Sequence, residues 1–347
     1  TIVEMKTKTK EIPFNIGSRQ QIADRLMKRG WKPKQFTDKD NIIINEAVLK
    51  TIKEPNLKIT AERFAKYFLL QKRAVMVESW IEACDESNKV HGKVMTLRTV
   101  TGRMAHNSPN MAQVPATYSP YGKECRSLWT VSDTTKYKLV GTDASGLELR
   151  CLAHYLNDVS YTDEILNGDI HTKNMELAGI KNRDQAKTFI YAFLYGAGPD
   201  KIGKIVGAGK EQGKMLIKRF LSNLPALRRL REQVENAGRR GKIKAIDGRY
   251  LKVRNAHSAL NTLLQGAGAI ICKHWLLRIT HRVYNKKLDV KLVASVHDEY
   301  QFEVANKDVG EFCSITKIGI KETENLLKLR CPLDNDYKVG VTWAETH

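Results

Sequence analysis

Two acidic clusters lie far apart in this sequence of 347 residues, and each follows a strand-like apolar run. Asp143 ends the run KLVGTD, and Asp298 and Glu299 interrupt the β-branched segment KLVASVHDEYQFEV, a pattern that predicts a β-hairpin. Carboxylates that meet in space can bind two divalent cations. A helix cap at the first cluster and a solvated hairpin tip at the second are the ordinary alternatives. A metal site here requires a fold in which two distant strands become neighbours.

A helix with basic and aromatic residues lies between the two clusters. The segment NRDQAKTFIYAFLYGAGP places such a residue at every fourth position of a predicted helix 183–196, namely Arg183, Lys187, Tyr191 and Tyr195. These side chains share one side of the helix, which suits a ligand with phosphates at one end and a sugar or base at the other. The alternative is a cationic edge beside ordinary core tyrosines. With the carboxylates, this helix indicates a nucleotidyl transferase.

The chain carries a large excess of positive charge. Lys and Arg outnumber Asp and Glu by 58 to 38, which gives a formal net charge of +20. The excess is distributed over KTKTK, RRLR, GRRGKIK and KHW, so it is not confined to one tail. A nucleic-acid partner would explain it, because protein cations release the counterions condensed on phosphates. A solvated cationic surface is the alternative.

Composition also limits the class and location of the protein. A hydrophobic content of 42% excludes a disordered tail and, at this length, predicts two or more subdomains. The six cysteines form no CxxC pair, which indicates reduced thiols. No run approaches the roughly 18 apolar residues of a membrane span, and TIVEMKTKTK lacks the apolar core of a signal peptide. We therefore expect a cytoplasmic protein with no membrane partner.

Secondary-structure patterns divide the chain into regions. Residues 1 to 82 have a helical, basic pattern, and residues 88 to 142 indicate strands and ordered loops. Helical patterns dominate from 146 to 236, and IKAIDGRYLKVRN predicts a hairpin with an Asp-Gly turn. GPDKIGK matches the first seven positions of a phosphate-binding Walker loop, but Ile205 replaces the magnesium-binding Ser or Thr. We predict a linker turn at that segment.

Three motifs and the segments between them resemble family A (Pol I-like) DNA polymerases. DASGLELR, the helix with the four-residue spacing and VHDE are similar, in order, to motifs A, B and C of that family, most closely in its T7-type phage replicative branch. TGRMAHNSPNMAQVP, SPYGKECR, GDIHTKN and HSALNTLLQGAGA also resemble intervening segments. The similarity therefore extends over nearly the whole chain.

The resemblance implies an α+β fold of palm, fingers and thumb, with an antiparallel palm sheet, helical fingers and a truncated helical thumb. The implied domains are a thumb remnant at 1–82, a first palm part at 83–165, fingers at 166–250 and a second palm part at 251–347. The implied activity is that of a DNA-directed DNA polymerase, which synthesises DNA 5′ to 3′ on a primer-template from dNTPs. For a phage-type enzyme, the implied setting is DNA replication in the host cytoplasm.

The resemblance also implies roles at a catalytic centre. Asp143 and Asp298, with the backbone carbonyl of Ala144, would bind two Mg²⁺, with Mn²⁺ as a substitute. Glu299 would support the primer end without being a firm metal ligand. Lys187 would donate a proton to the leaving pyrophosphate.

Further residues would contact the substrates. Glu148 would exclude a ribose 2′-hydroxyl, although Ser145 and Glu148 also fit a capping box. The residues implied to bind the nucleotide are Arg183, Lys187, His171, Tyr191, Tyr195 and Glu148. The residues implied to contact DNA are Arg103, Asn110, Gln113, His257, Asn261, Gln265 and His297.

Parts that family members usually carry are not recognisable in this sequence. A 3′–5′ exonuclease or its remnant and the first thumb helix would precede the segment resembling FNIGSRQQIADRL, and no proofreading site can be assigned. We expect either a fragment or a split gene whose second chain supplies the exonuclease domain and the missing thumb. Two other functions stay open: a single-subunit RNA polymerase, which shares the palm architecture, and a catalytically silent DNA-binding subunit.

Overall fold

A computed structural model describes residues 12–347. The chain divides into two compact units, the first reaching to Val90 and the second running from His91 to His347. The predicted thumb remnant, 1–82, falls within the first unit, but its residues 1–11 lie outside the described part of the chain.

The first unit is helical, as its sequence pattern predicts. Its helices are α1 (Arg19–Lys28), α2 (Glu46–Lys50) and α3 (Pro55–Glu82). The Ser18 hydroxyl caps α1 by accepting from the backbone N–H of Gln21. Apolar residues from all three helices and the loops between them form a small separate core that includes Ile22, Leu26, Ile44, Leu49 and Leu57.

The centre of the second unit is a four-stranded antiparallel sheet. Its strands, in the order β6–β7–β3–β8, are β6 (Val290–Val296), β7 (Glu299–Ala305), β3 (Tyr137–Ala144) and β8 (Asn335–Gly340). Two helices pack together beside this sheet, α12 (Ala259–Lys286) and α13 (Val309–Leu327). Trp275 of α12 is fully buried against Tyr300 of β7. The distant strands that carry the two acidic clusters are therefore direct neighbours.

Shorter elements complete the second unit. Two small hairpins are formed by β1 (Lys93–Met95) with β2 (Ala105–Asn107) and by β4 (Lys242–Lys244) with β5 (Tyr250–Lys252). The remaining helices are α4 (Gly122–Ser127), α5 (Leu147–Leu156), α6 (Val159–Leu166), α7 (Ile170–Ala178), α8 (Arg183–Leu194), α9 (Pro199–Ile205), α10 (Lys210–Asn223) and α11 (Pro225–Arg239). A continuous apolar core joins most of them to the sheet and includes Phe189, Phe193 and Phe220.

The Walker-like segment is helical, so the predicted linker turn is wrong. Pro199 occupies the first turn of α9, where its missing N–H is not needed. Glycines let α9 and α10 pack closely: a Cβ at Gly203 would lie 2.1 Å from the Gly209 oxygen, and one at Gly213 would lie 1.9 Å from the Pro199 oxygen. These glycines serve helix packing.

The predicted α+β class with an antiparallel sheet is confirmed. The hairpin predicted at IKAIDGRYLKVRN is also present, as β4 and β5. Among the helices of residues 12–347, none has an apolar stretch long enough to cross a bilayer.

Candidate active site

Asp143 lies near the carboxyl end of the central strand β3 and has an acidic residue on each side. Its Cα is paired with that of Glu299 on β7 and with that of Asp336 on β8. The backbone beyond it is held on both sides, since the N–H of Ala144 donates to the Asp298 oxygen at 3.2 Å and the N–H of Ser145 donates to the Asp334 oxygen at 3.0 Å. The sheet thus brings the two acidic clusters together, as the metal-site hypothesis requires.

The two acidic residues at the turn between β6 and β7 lie in different environments. Asp298 lies in the turn and is half-buried, and the preceding His297 adopts a left-handed backbone with φ of 57°. Glu299 is the first residue of β7 and is only 6% exposed. The interpretation of the pair as a solvated tip is wrong for Glu299, because its carboxylate is covered by Trp343, Gln301 and His347, which donate hydrogen bonds to it.

The electrostatics of this group suit a cation. Asp143 is exposed on one side, yet desolvation by the surrounding protein, followed by the charges of Asp298, Glu299 and Asp336, raises its pKa to about 8. Burial also raises the pKa of Asp298. By contrast, hydrogen bonds from His347 and Trp343 outweigh burial and lower the pKa of Glu299. Within residues 12–347 no three His, Cys, Asp or Glu side chains form a ready-made metal cage. The carboxylates of Asp143 and Asp298 are hard oxygen ligands that lie close enough to repel each other, so they fit Mg²⁺.

Glu148 points toward α8 and takes no part in a helix cap. The first residue before α5 is Gly146, with φ of 58° and no side-chain cap, and the Ser145 hydroxyl instead donates to Asp336 at 2.7 Å. Both carboxylate oxygens of Glu148 accept from the Tyr195 hydroxyl, at 2.6 and 2.7 Å, and Arg103 donates to one of them at 3.2 Å. The capping-box alternative is therefore wrong, and Glu148 links α5 to the end of α8.

The basic end of α8 contacts the start of α7. Arg183 forms a two-point ion pair with Asp169, at 2.6 and 3.0 Å. Asp169 also caps α7 by accepting from the backbone N–H of His171, and its pKa is well below the ordinary range because Arg183 and Thr172 donate to it. Burial, followed by the charges of Lys187 and Arg183, lowers the pKa of His171. The side chains of Arg183, Lys187 and His171 therefore lie close together at this end of α8.

The aromatic end of α8 faces the acidic group. The ring of Tyr191 lies 6.2 Å from that of His171, and burial, followed by the charges of Glu148 and Asp298, raises its pKa. The helix ends at Leu194, two residues before the predicted end, and Tyr195 is its C-cap. The four side chains predicted to share one side of this helix therefore extend from the ion pair between Arg183 and Asp169 to the carboxylates of Glu148 and Asp298.

The seven residues predicted to contact DNA fall into two groups in the second unit. Asn110 precedes and Gln113 ends the short 3₁₀ helix Met111–Gln113, which packs against β6. Arg103 lowers the pKa of His297, after the larger effect of burial. The second group lies at the start of α12: His257 is in the short 3₁₀ helix Ala256–Ser258 that leads into it, and Asn261 and Gln265 are about one turn apart on α12.

Sequence reasoning missed three kinds of residue at this site. Asp336 adds a third carboxylate beside Asp143, and no local signal marks it. Asp169 fixes Arg183, and its place before a helix in GDIH could have indicated at least its capping role. Two of the donors that surround Glu299, Trp343 and His347, are 44 and 48 residues away in the sequence and could not be paired with it in advance.

The pKa of Asp143 predicts an unusual pH dependence of stability in the metal-free chain. Its folded value of about 8 is above the ordinary value of about 4, so this stabilisation is complete below about pH 4 and is lost as the pH rises through 8. In EDTA, the melting temperature of the wild type should fall between pH 7 and pH 9, and it should fall less for Asp143→Asn, whose amide does not titrate. Equal decreases in thermal melts of the two proteins would contradict the shift.

Known proteins are similar to this chain in sequence and in fold. The family model for DNA polymerase family A matches residues 2–345. The DNA-directed DNA polymerases of Enterobacteria phage T3 and Escherichia phage T7 are each 40% identical over 378 aligned positions, covering 98% of this chain and 54% of theirs. The chain thus spans about half the length of these curated relatives. DNA polymerase I of Geobacillus stearothermophilus is 25% identical and aligns with 96% of the chain.

A solved structure has the same fold. The polymerase domain of Pol1 from M. smegmatis, solved with a DNA primer-template and dNTP, superimposes with a TM-score of 0.84 at 21% identity. It covers 96% of this chain, and this chain covers 62% of it. The resemblance predicted from the three motifs is confirmed by the match of the family model over nearly the whole sequence. The chain belongs to DNA polymerase family A.

Proposed function

We propose that this chain catalyses template-directed 5′–3′ synthesis of DNA from dNTPs, as part of phage-type DNA replication. The observation that supports this proposal is the convergence of Asp143 and Asp298 where β3 ends beside the β6–β7 turn, with the aromatic end of α8 turned toward them and its basic end beside His171. This order of carboxylates, aromatic side chains and cations along one side of α8 would suit a nucleoside triphosphate that lies along the helix. In this proposal residues 83–165 and 251–347 form the palm and 166–250 the fingers.

Asp143, Asp298 and the carbonyl of Ala144 would hold two Mg²⁺, or Mn²⁺ in its place. Bound cations of this kind supply Lewis-acid neutralisation of phosphate charge and activate a hydroxyl nucleophile. The antiparallel pairing of β3 with β7, and the Ala144 to Asp298 hydrogen bond, keep the two ligand-bearing segments in a fixed relation. That rigidity is what positioning of a primer terminus demands.

Arg183, Lys187 and His171 would bind the triphosphate. Asp169 holds the Arg183 guanidinium through two hydrogen bonds before any ligand arrives, and it also accepts from the backbone N–H of His171. Lys187 is exposed and can reach a phosphate as a point charge and proton donor. These three side chains would bind the β- and γ-phosphates and neutralise the pyrophosphate as it leaves.

Glu148 and the two tyrosines would contact the sugar and template end of the pocket. The hydrogen bonds from Tyr195 and Arg103 fix the Glu148 carboxylate, so it cannot swing away from a bulky sugar without breaking them. Tyr191 would face the 3′ side of the sugar, and Tyr195 would close one side of the template-base pocket.

Primer extension by the purified chain tests this proposal. With a primed template and Mg²⁺, the wild type should extend the primer with dNTPs and should use rNTPs far less well. Extension with both kinds of nucleotide at equal rates would favour the single-subunit RNA polymerase. Binding of primer-template without any extension would favour the silent DNA-binding subunit.

Replacing Glu148 by alanine should relax the choice of sugar. Removing the fixed carboxylate opens the space beside the 2′ position, so kcat/KM for rNTPs should rise relative to dNTPs by at least about tenfold. Single-nucleotide incorporation with matched dCTP and CTP measures this ratio. Glu176→Ala, an exposed glutamate on α7, is the matched control and should leave the ratio unchanged. An unaltered ratio in Glu148→Ala would contradict the role of Glu148 as a sugar filter.

A further inference from the structure

Glu299 is a buried carboxylate whose oxygens are all occupied by protein donors. Its Oε1 accepts from Trp343 Nε1 at 2.6 Å and from Gln301 Nε2 at 2.6 Å, and its Oε2 pairs with His347 Nδ1 at 2.8 Å. Burial of a carboxylate is costly unless such donors replace the lost water. The side chain is therefore held in one position.

A buried arginine completes this arrangement. Arg126 is 4% exposed, and its Nη1 lies 3.6 Å from Glu299 Oε1. Its guanidinium stacks over the Trp343 ring at 4.3 Å, and its Nε donates to the Pro115 oxygen at 3.0 Å. The backbone N–H of Trp343 also donates to the Trp129 oxygen at 2.9 Å. We call Arg126, Gln301, Trp343 and His347 the Glu299 clamp.

The Glu299 clamp is connected to both proposed metal-binding aspartates through the backbone. Glu299 follows Asp298 directly, and its Cα is paired with that of Asp143. The backbone hydrogen bond from the N–H of Ala144 to the Asp298 oxygen also joins the end of β3 to the β6–β7 turn. A shift of Glu299 would therefore be transmitted to both aspartates.

We propose that Arg126 and Trp343 are positioning residues of the polymerase reaction, which act through Glu299 to hold the Asp298 turn against Asp143. This inference rests on the proposed function. Arg126 lies before β3 and Trp343 lies after β8, and their side chains stack on each other beside this carboxylate. The role of Glu299 here is mechanical and requires no contact between its carboxylate and DNA.

A double-mutant cycle between Trp343 and Glu299 tests this inference. Trp343→Phe keeps an aromatic ring under Arg126 but removes the N–H donor, and kcat for single-nucleotide incorporation should fall roughly tenfold. The KM for dNTP should change by less than about twofold, since no phosphate contact is lost. In a Glu299→Ala background, Trp343→Phe should lower kcat by less than about twofold further, because its target is already absent.

Trp275→Phe is the matched control. This tryptophan is also buried and also donates from Nε1, but to the Thr316 oxygen, so its loss should lower the melting temperature without coupling to Glu299. Glu299→Gln gives a second, milder background, in which the effect of Trp343→Phe should shrink because a neutral amide is the weaker acceptor.

The outcomes separate the inference from the function on which it rests. If the kcat loss of the double variant equals the product of the losses in Trp343→Phe and Glu299→Ala, Trp343 acts only on general stability and the inference is overturned. Trp275→Phe should show this independence from Glu299→Ala. If Trp343→Phe raises KM and spares kcat, the inference is likewise wrong. A wild-type chain that extends no primer refutes the proposed function itself, and the inference falls with it.

Discussion

Replacing Asp143 by asparagine should abolish primer extension, with a loss in kcat of at least roughly 10³-fold, equivalent to about 4 kcal/mol of transition-state stabilisation. The amide keeps the size of the side chain but removes its charge, so it cannot balance a divalent cation. Asp298→Asn should have an effect of similar size. The double variant should be little worse than either single one, because residues that act as a unit lose their function together.

Rapid-quench measurement of one incorporation event reports this loss directly. Asp200→Asn is the matched control, since Asp200 pairs with Lys204 on the exposed side of α9 and such surface pairs contribute little. DNA affinity should be retained in all these variants, which separates a failure of chemistry from a failure of binding. A rate near that of the wild type in Asp143→Asn would remove Asp143 from the proposed metal site.

The elements that carry the site were predictable because their signals are local. β-branched runs on both sides of Asp298 specify a hairpin, and that hairpin is β6 with β7. The four-residue spacing from Arg183 to Tyr195 specifies one side of a helix, and α8 presents that side with only its last turn shorter than expected. Short-range periodicity is enough for both, because each pattern repeats within the element itself.

The contacts between elements were not predictable from such signals. Ser145 and Glu148 have the spacing of a capping box, and the same spacing serves equally when Gly146 takes the cap position and Glu148 turns to Tyr195. Asp336 reaches Asp143 only through the pairing of β8 with β3, which joins strands from opposite ends of the unit. For GPDKIGK, Ile205 argued against a phosphate-binding loop, but the predicted linker turn was wrong because the packing of Gly203 against the start of α10 depends on a contact outside the segment.

Exchanging Lys187 for alanine should lower kcat by roughly 10²- to 10⁴-fold, the range that a positioned proton donor contributes. The arginine variant separates the two contributions of the lysine, its charge and its proton. Lys187→Arg keeps the positive charge, so the KM for dNTP should return close to that of the wild type. Its guanidinium stays protonated in proteins, so kcat should remain low.

Incorporation rates across a series of dNTP concentrations resolve kcat and KM for both variants. Lys181→Ala, which removes an exposed lysine two residues before α8 begins, is the matched control and should change neither constant by more than about twofold. If Lys187→Arg recovers kcat as well as KM, the side chain serves as a charge alone and the proton reaches the leaving pyrophosphate from another source. If only KM recovers, charge and proton transfer are separate functions of one side chain. The second result is the one expected, because Lys187 is exposed on α8 between Arg183 and the carboxylate-facing tyrosines, at the point where a leaving pyrophosphate would pass.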